Sequence, residues 1–253
     1  MPLIKSKAFM FRKIIFSVVS LLLACTVNAQ ETALRIAVLG NSMPMSYLNA
    51  KGELTGFSIA VIRAMCEEMK ANCQFKVITL DKAVESLVAG EFDAAAIGLL
   101  DTPERRAKIL LTKPVFRSAS IWFTKQRKFP GTAGIKIAAV AGSAQAAYLQ
   151  GKGWKMVPMQ SNDQIAQMLM SDQADAGLIP MPTAISLMQN PGFSALNFQF
   201  MMMDEPGLAG DACFGVAPGN PELKKKLDTA LERIKRNGRY DKINSEFLPF
   251  RVN

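Results

Sequence analysis

The feature that most restricts this chain is a rhythm of short apolar runs and amphipathic stretches that plays once and then begins again. Leu34-Arg35-Ile36-Ala37-Val38-Leu39 has the length and apolar character of a buried strand. Phe57, Ala60, Val61, Ala64, Met65 and Met69 then recur at helical spacing and share one apolar face. Phe75 to Leu80 predicts a strand, Asp81 to Ala89 a helix stopped by Gly90, and Ala94 to Gly98 another short strand. This β-α-β-α-β order is that of a parallel sheet covered by helices.

The rhythm restarts after the polar stretch Lys125-Gln126-Arg127-Lys128 and a Pro130-Gly131 turn. Ile135 to Val140 reads as a strand, Ser143 to Leu149 as a helix and Met156 to Met159 as a strand. Ser161 with Gln164 makes a capping-box pattern that opens a helix through Ile165, Met168 and Leu169, and Ala176 to Ile179 is a further strand. Two similar α/β units in succession predict two lobes. Near the end, Asn220 caps a helix with Pro221 at its first position and Gly238 past its end, and Tyr240 to Phe247 follows as a shorter helix. That section is too small to be a domain and is expected to pack back on one lobe. A chain that leaves a lobe and returns makes a two-stranded hinge, and the cleft between the lobes is the natural ligand site.

Residues 1–29 have a secretory layout. Lys5, Lys7, Arg12 and Lys13 precede an apolar run from Ile14 to Val27 that is too short for a bilayer, and Val27-Asn28-Ala29 supplies the small residues of a cleavage site. Leu22-Leu23-Ala24-Cys25 loosely resembles a lipoprotein box, so a lipid tether at Cys25 is the alternative. Removing the leader reduces 30 basic residues to 26 against 21 acidic, a net charge of +5 rather than +9. The charge is spread along the chain, with Lys224-Lys225-Lys226 its longest run, which gives a nucleic-acid role little support.

The sequence has no histidine, which excludes His-based triads, His general bases and ordinary zinc sites. Export permits disulfides, and Cys66 and Cys73 are expected to close a short loop at a helix end; two buried thiols are the alternative. Cys213, in Ala212-Cys213-Phe214-Gly215-Val216, reads as a buried strand residue. Met201-Met202-Met203 alternates faces as a strand does, and Met168 and Met170 fall in the apolar part of a helix, so the 15 methionines read as packing and no metal or cofactor is expected.

Several segments, taken in order, resemble one family. They are Leu34 to Val38, Gly52-Glu53-Leu54-Thr55-Gly56-Phe57, Gly90-Glu91-Phe92-Asp93-Ala94, Thr102-Pro103-Glu104-Arg105-Arg106 and Gly142-Ser143-Ala144-Gln145. Ser161-Asn162-Asp163-Gln164, Asp175-Ala176 and Asn237-Gly238-Arg239-Tyr240-Asp241-Lys242-Ile243 complete the set. Together they resemble the polar amino-acid-binding solute-binding proteins of ABC transporters, extracellular family 3. The Cys66–Cys73 spacing and the ending Phe247-Leu248-Pro249-Phe250 look like the histidine and lysine/arginine/ornithine branch. The resemblance implies the two-lobed periplasmic-binding-protein type II fold, an α/β architecture with crossed connections. Lobe 1 would comprise residues 32–120 and 206–253, and lobe 2 residues 121–205. It also implies a monomer in the periplasm that closes on a small solute and delivers it to an inner-membrane permease.

The resemblance assigns the arginine of the Thr-x-x-Arg motif, here Arg105, to a ligand carboxylate, a task that suits its bidentate fork. Backbone N–H groups at Ser143 and Ala144 would face the same carboxylate. The ammonium half departs from the family. Its hydroxyl falls on Leu100, its acidic residue after the Asp-Ala strand on Pro180, its covering aromatic on Ser42, the neighbouring phenylalanine on Met45, and the acidic position of the first loop on Leu39. Gly98 and Asp101 complete the residues assigned to the cleft, Asp101 as a candidate replacement anion. The expected ligand therefore carries a carboxylate on Arg105 and a less polar remainder against Met45 and Leu100, with Met43 beside them; an amino acid whose amine is held by shifted groups is the alternative. Two other roles compete. A sensor or accessory protein could use the same cleft. A dehydratase of prephenate-like acids resembles the family, but it needs a general acid in the cleft, and Ala144-Gln145-Ala146-Ala147 offers no carboxylate there.

Overall fold

Two open sheets, each covered by helices on both faces, organise residues 33–251, which the computed structural model describes. The leader, its cleavage site and Cys25 lie outside the described residues. In chain order the first part is β1 (Leu34–Val38), β2 (Asn41–Ser42), β3 (Ser46–Leu48), β4 (Leu54–Thr55), α1 (Phe57–Glu68), β5 (Cys73–Val77), α2 (Ala83–Val88), β6 (Ala94–Leu100), α3 (Pro103–Arg106), β7 (Leu110–Leu111) and β8 (Phe116–Ser118). The middle part is β9 (Ser120–Thr124), β10 (Ile137–Val140), α4 (Ala144–Gly151), β11 (Met156–Met159), α5 (Asn162–Met170), β12 (Ala176–Pro180), α6 (Met181–Met188), α7 (Pro191–Ser194) and β13 (Gln199–Met203). Strand β14 (Gly210–Val216) and helices α8 (Pro221–Arg236) and α9 (Arg239–Phe247) close the chain. The helix expected over 81–89 is split, with a 3-10 turn at Leu80–Lys82 before α2.

The first sheet has the order β5-β1-β6-β14-β7, with β8 also paired to β14; the second has the order β11-β10-β12-β9-β13. Neither is wholly parallel, unlike the sheets the alternation predicts. β5, β1 and β6 run parallel, as do β11, β10 and β12, but β14 lies antiparallel to β6 and β9 antiparallel to β12. The reason is the connectivity. The chain passes from the first sheet to the second at Ala119, between β8 and β9, and returns between β13 and β14. Each crossing strand is thereby inserted against the direction of its new neighbours. Ser120 ties the crossings together, since its hydroxyl donates to the Leu208 carbonyl at 2.7 Å and accepts from Gln145 at 2.8 Å.

Packing follows the apolar periodicity. Leu223, Leu227, Ala230, Leu231 and Ile234 of α8 join Ile36, Phe57, Ile62 and Phe214 in one buried cluster, so the C-terminal helices belong to the first sheet. Each such fully buried Leu or Ile contributes about 1.5–3 kcal/mol relative to exposure. Tyr240 of α9 meets Phe57 edge to face at 5.7 Å, and its hydroxyl donates to the Val115 carbonyl at 2.6 Å. Cys66 and Cys73 form a disulfide that joins the end of α1 to the start of β5, and Cys213 is a buried free thiol in β14. Met202 is 61% exposed and Met203 3%, the alternation expected of β13. Met168 packs on the second core, whereas Met170 is exposed, because the apolar face of α5 stops short of it.

Candidate functional site

The site starts where β6 ends. Leu100 is its last residue, and Thr102 then caps α3, its Oγ1 accepting from the Arg105 backbone N–H at 3.3 Å. This short turn sends the Arg105 side chain inward, and the residue is 9% exposed. Its Nη1 donates to the Leu100 carbonyl at 2.9 Å and its Nη2 to the Gly142 carbonyl, across the two lobes, at 3.2 Å. A guanidinium carries five N–H donors, so most of the fork is left for another partner. No carboxylate among the described residues forms an ion pair with it. Burial pushes the Arg105 guanidinium below its ordinary value, only partly offset by Glu104, and it remains a cation.

A cavity of about 90 Å³ lies beside it. Ser42, Met45, Gly98, Leu100 and Arg105 line it from the first lobe, and Ser143, Ala144 and Pro180 from the second. A Cβ at Gly98 would come within 2.6 Å of the Phe116 ring, so the smallest residue keeps this wall in place. Ser143 caps α4, its Oγ accepting from the Ala146 N–H at 3.0 Å, and the Ala144 and Gln145 N–H groups belong to the first turn, which has no intrahelical acceptor. Ser143 and Ala144, at the positive end of α4, thus lie on the cavity wall.

Two residues placed at the cleft from sequence are not on the cavity wall: Met43, which is 47% exposed, and Asp101. Both carboxylate oxygens of Asp101 accept from Arg106 at 2.5 Å, on the outer side of α3. The reason is local: β6 ends at Leu100, so Asp101 starts a new segment whose side chain turns toward an exposed cation. Among the described residues the cavity wall contains no Asp or Glu, and Arg105 is its only charged residue. Sequence reasoning missed Ser58 and Asn162, which also line the cavity. Each begins a helix, where a polar residue reads as a cap, and only their burial at 1% and 6% exposure marks them out.

The two lobes meet closely around this cavity. A Cβ on Gly142 would come within 2.4 Å of the Asp81 Cα, Leu80 packs on the core of the second lobe, and α5 lies against β2. Both lobes wall the cavity, and the Arg105 guanidinium reaches it with no carboxylate partner among the described residues. The family model for bacterial extracellular solute-binding proteins, family 3, matches residues 34–250.

The chain belongs to that family. Its family-3 relatives include the arginine-binding periplasmic protein of Mannheimia haemolytica, 29% identical over 92% of this chain and 98% of that protein. The lysine/arginine/ornithine-binding periplasmic protein of Escherichia coli (strain K12) is 24% identical over 90% of this chain and 92% of that protein. Among solved structures, an ancestral arginine-binding protein bound to arginine superposes with a TM-score of 0.76 at 24% identity, covering 85% of this chain and 97% of that one. The shared fold is the two-lobed solute-binding fold, and the relatives named here are solute-binding proteins.

Proposed function

We propose that this chain captures a small carboxylate-bearing solute, an amino acid or an amino-acid-like acid, in the periplasm and hands it to the permease of an inner-membrane ABC transporter. Residues 32–120 with 206–253 would form one lobe and 121–205 the other, with the crossings at Ala119 and between β13 and β14 as the hinge. The observation that carries the reading is the buried Arg105, with no carboxylate partner, in a cavity wall that holds no acidic residue. A buried charge is strongly destabilising unless paired, so a ligand carboxylate on the free N–H groups of the fork compensates it. Named relatives in transporter systems support the transport role; a sensor or accessory protein remains the second reading, separable by whether a permease and ATPase pair is encoded beside it.

Calorimetry across amino acids and simple carboxylates tests the reading. Small acids bind, and Arg105→Ala removes that binding while the fold, followed by circular dichroism, persists. Retained affinity in Arg105→Ala refutes the carboxylate site, and tight binding only of solutes without a carboxylate refutes the proposed solute class.

A further inference from the structure

Two stretches of chain join the lobes, and they differ in length. The first is one residue: Ser118 ends β8, Ser120 begins β9, and Ala119 lies between them. The second covers residues 204–209, from Met203 at the end of β13 to Gly210 at the start of β14. Left slack, that longer stretch would give the open lobes many orientations, all lost on closing. It is fastened instead. The Glu205 carboxylate accepts from the Tyr148 hydroxyl of α4 at 2.6 Å and lies 3.7 Å from Lys152 Nζ. The Leu208 side chain is fully buried with Trp122, Leu178 and Met203 in the core of the second lobe. Its N–H donates to the Glu205 carbonyl at 2.9 Å, and a backbone bridge joins Pro206 to Ala209. The Leu208 carbonyl can only accept, so the Ser120 hydroxyl gives it its proton at 2.7 Å and takes the Gln145 amide N–H at 2.8 Å. In the short stretch the Ala119 carbonyl accepts from the Met181 N–H of α6 at 2.9 Å. On the side of the first lobe, Ser118 pairs with Gly210. One unfastened step is left in each stretch, Ser118–Ala119 and Ala209–Gly210, and the pairing sets the two side by side.

We propose that these two steps alone are the hinge, that residues 204–209 travel with the second lobe, and that Ser120 is the positioning residue that fixes them to it. The lobe boundaries expected at 120 and 206 then fall after Ser118 and after Ala209. The proposal rests on the reading of a cleft that closes on a solute, and it states how the closure is kept in register. Two adjacent single-step links permit rotation about one line and little else. Each closure then returns Arg105 of the first lobe to the Gly142 carbonyl of the second. Fewer open orientations also leave less entropy to lose on closing, which favours capture. Gly210 fits this role: its φ of +144° is a backbone angle that side chains rarely allow, and it sits at one of the two turning steps.

The test uses solute-free protein with nitroxide labels at Lys225→Cys in α8 and Gln167→Cys in α5, exposed positions on different lobes. Cys213 is buried and Cys66 is bonded to Cys73, so the labels attach only there. Pulsed electron resonance reads the distribution of distances between the lobes. Gly210→Ala should shift that distribution, because alanine avoids φ +144° and nothing else lies near the added Cβ. Gly207→Ala makes the same kind of change at φ +85° inside the fastened stretch and should leave the distribution in place. Ser120→Ala should widen it and speed amide hydrogen exchange over residues 204–209 at least about fivefold, as one lost hydrogen bond implies. Parental exchange over β10 and β12 shows that this variant folds; if it does not fold, the two glycine variants decide. An equal shift from both glycine variants, or Ser120→Ala with the parent's width and exchange, overturns the hinge. None of these readings involves a solute. Failure of the capture reading shows separately, as affinity retained by Arg105→Ala in calorimetry.

Discussion

Replacing Gly142 with alanine puts a methyl group where the two lobes touch. Gly142 sits at φ +73°, and its added Cβ would lie 2.4 Å from the Asp81 Cα and 2.8 Å from its nitrogen, both backbone atoms that cannot rotate away. Ordinary contact begins near 3.4 Å, so the lobes must part by about 1 Å at this point. The hydrogen bond from Arg105 to the Gly142 carbonyl, now 3.2 Å, would stretch to about 4.2 Å and be lost. A bond from a charged donor contributes about 1.5–3 kcal/mol, so closure, and with it affinity, should fall about 10- to 100-fold. The left-handed backbone adds about 1–2 kcal/mol of destabilisation to open and closed forms alike. Gly153→Ala is the control, since Gly153 has φ +68° with nothing near its Cβ and shares only that backbone effect. Titration with the tightest of the amino acids and simple carboxylates, alongside small-angle scattering for compaction, reads the difference. If Gly142→Ala binds and compacts as Gly153→Ala does, the closed arrangement around Arg105 is not the binding form.

Two further outcomes follow from the scaffold. Cys66 and Cys73 are seven residues apart, a loop whose closure is worth about 2 kcal/mol, so Cys66→Ala with Cys73→Ala should lower the melting temperature by about 4–8 °C; no change in a thermal melt would contradict this. Asp175 accepts from Lys128 Nζ at 2.5 Å and from the Lys136 N–H at 2.8 Å, and the Lys128 hydrogen bond, then that of Lys136, holds its carboxyl below the ordinary value despite some desolvation. Since the folded value lies below the unfolded one, this stabilisation is present above about pH 4 and fades as pH falls through the folded value. Asp175→Asn should therefore be less stable than the parent in urea at pH 7, with the two converging toward pH 3. A gap that stays constant or widens over that range would exclude the carboxylate as its source.

The strands and helices that repeat a period over several residues were legible in the sequence. Met156 to Met159 is a strand over the residues predicted, and α1, α5 and α8 bury the stripes their spacing marks. The three-stranded sheet of β2, β3 and β4 was not, because strands of two or three residues carry no measurable period. Nor was α6, which starts beside Pro180 and Pro182 where prolines signal a stop, although proline fits a helix's first turn. The antiparallel insertions of β9 and β14 depend on crossings that no local pattern encodes. At the site, Arg105 and Gly142-Ser143-Ala144 were legible through a motif, whereas the direction of Asp101 depended on where β6 ends. Ser58 and Asn162 passed as helix-start residues, and only their burial in the folded chain marks them out. The capping box at Ser161 differed in one bond: Ser161 Oγ accepts from the Gln164 N–H, but Gln164 reaches back to the Gln160 N–H instead of that of Ser161.

The central claim is that Arg105 is kept buried and without a carboxylate partner in order to take an anion. Its most direct test is the identity of the solute that travels with the protein through purification, released by denaturation and identified by mass spectrometry. The account predicts a small molecule that carries a carboxylate. Recovery of a solute without an anionic group, such as an uncharged sugar, would contradict it.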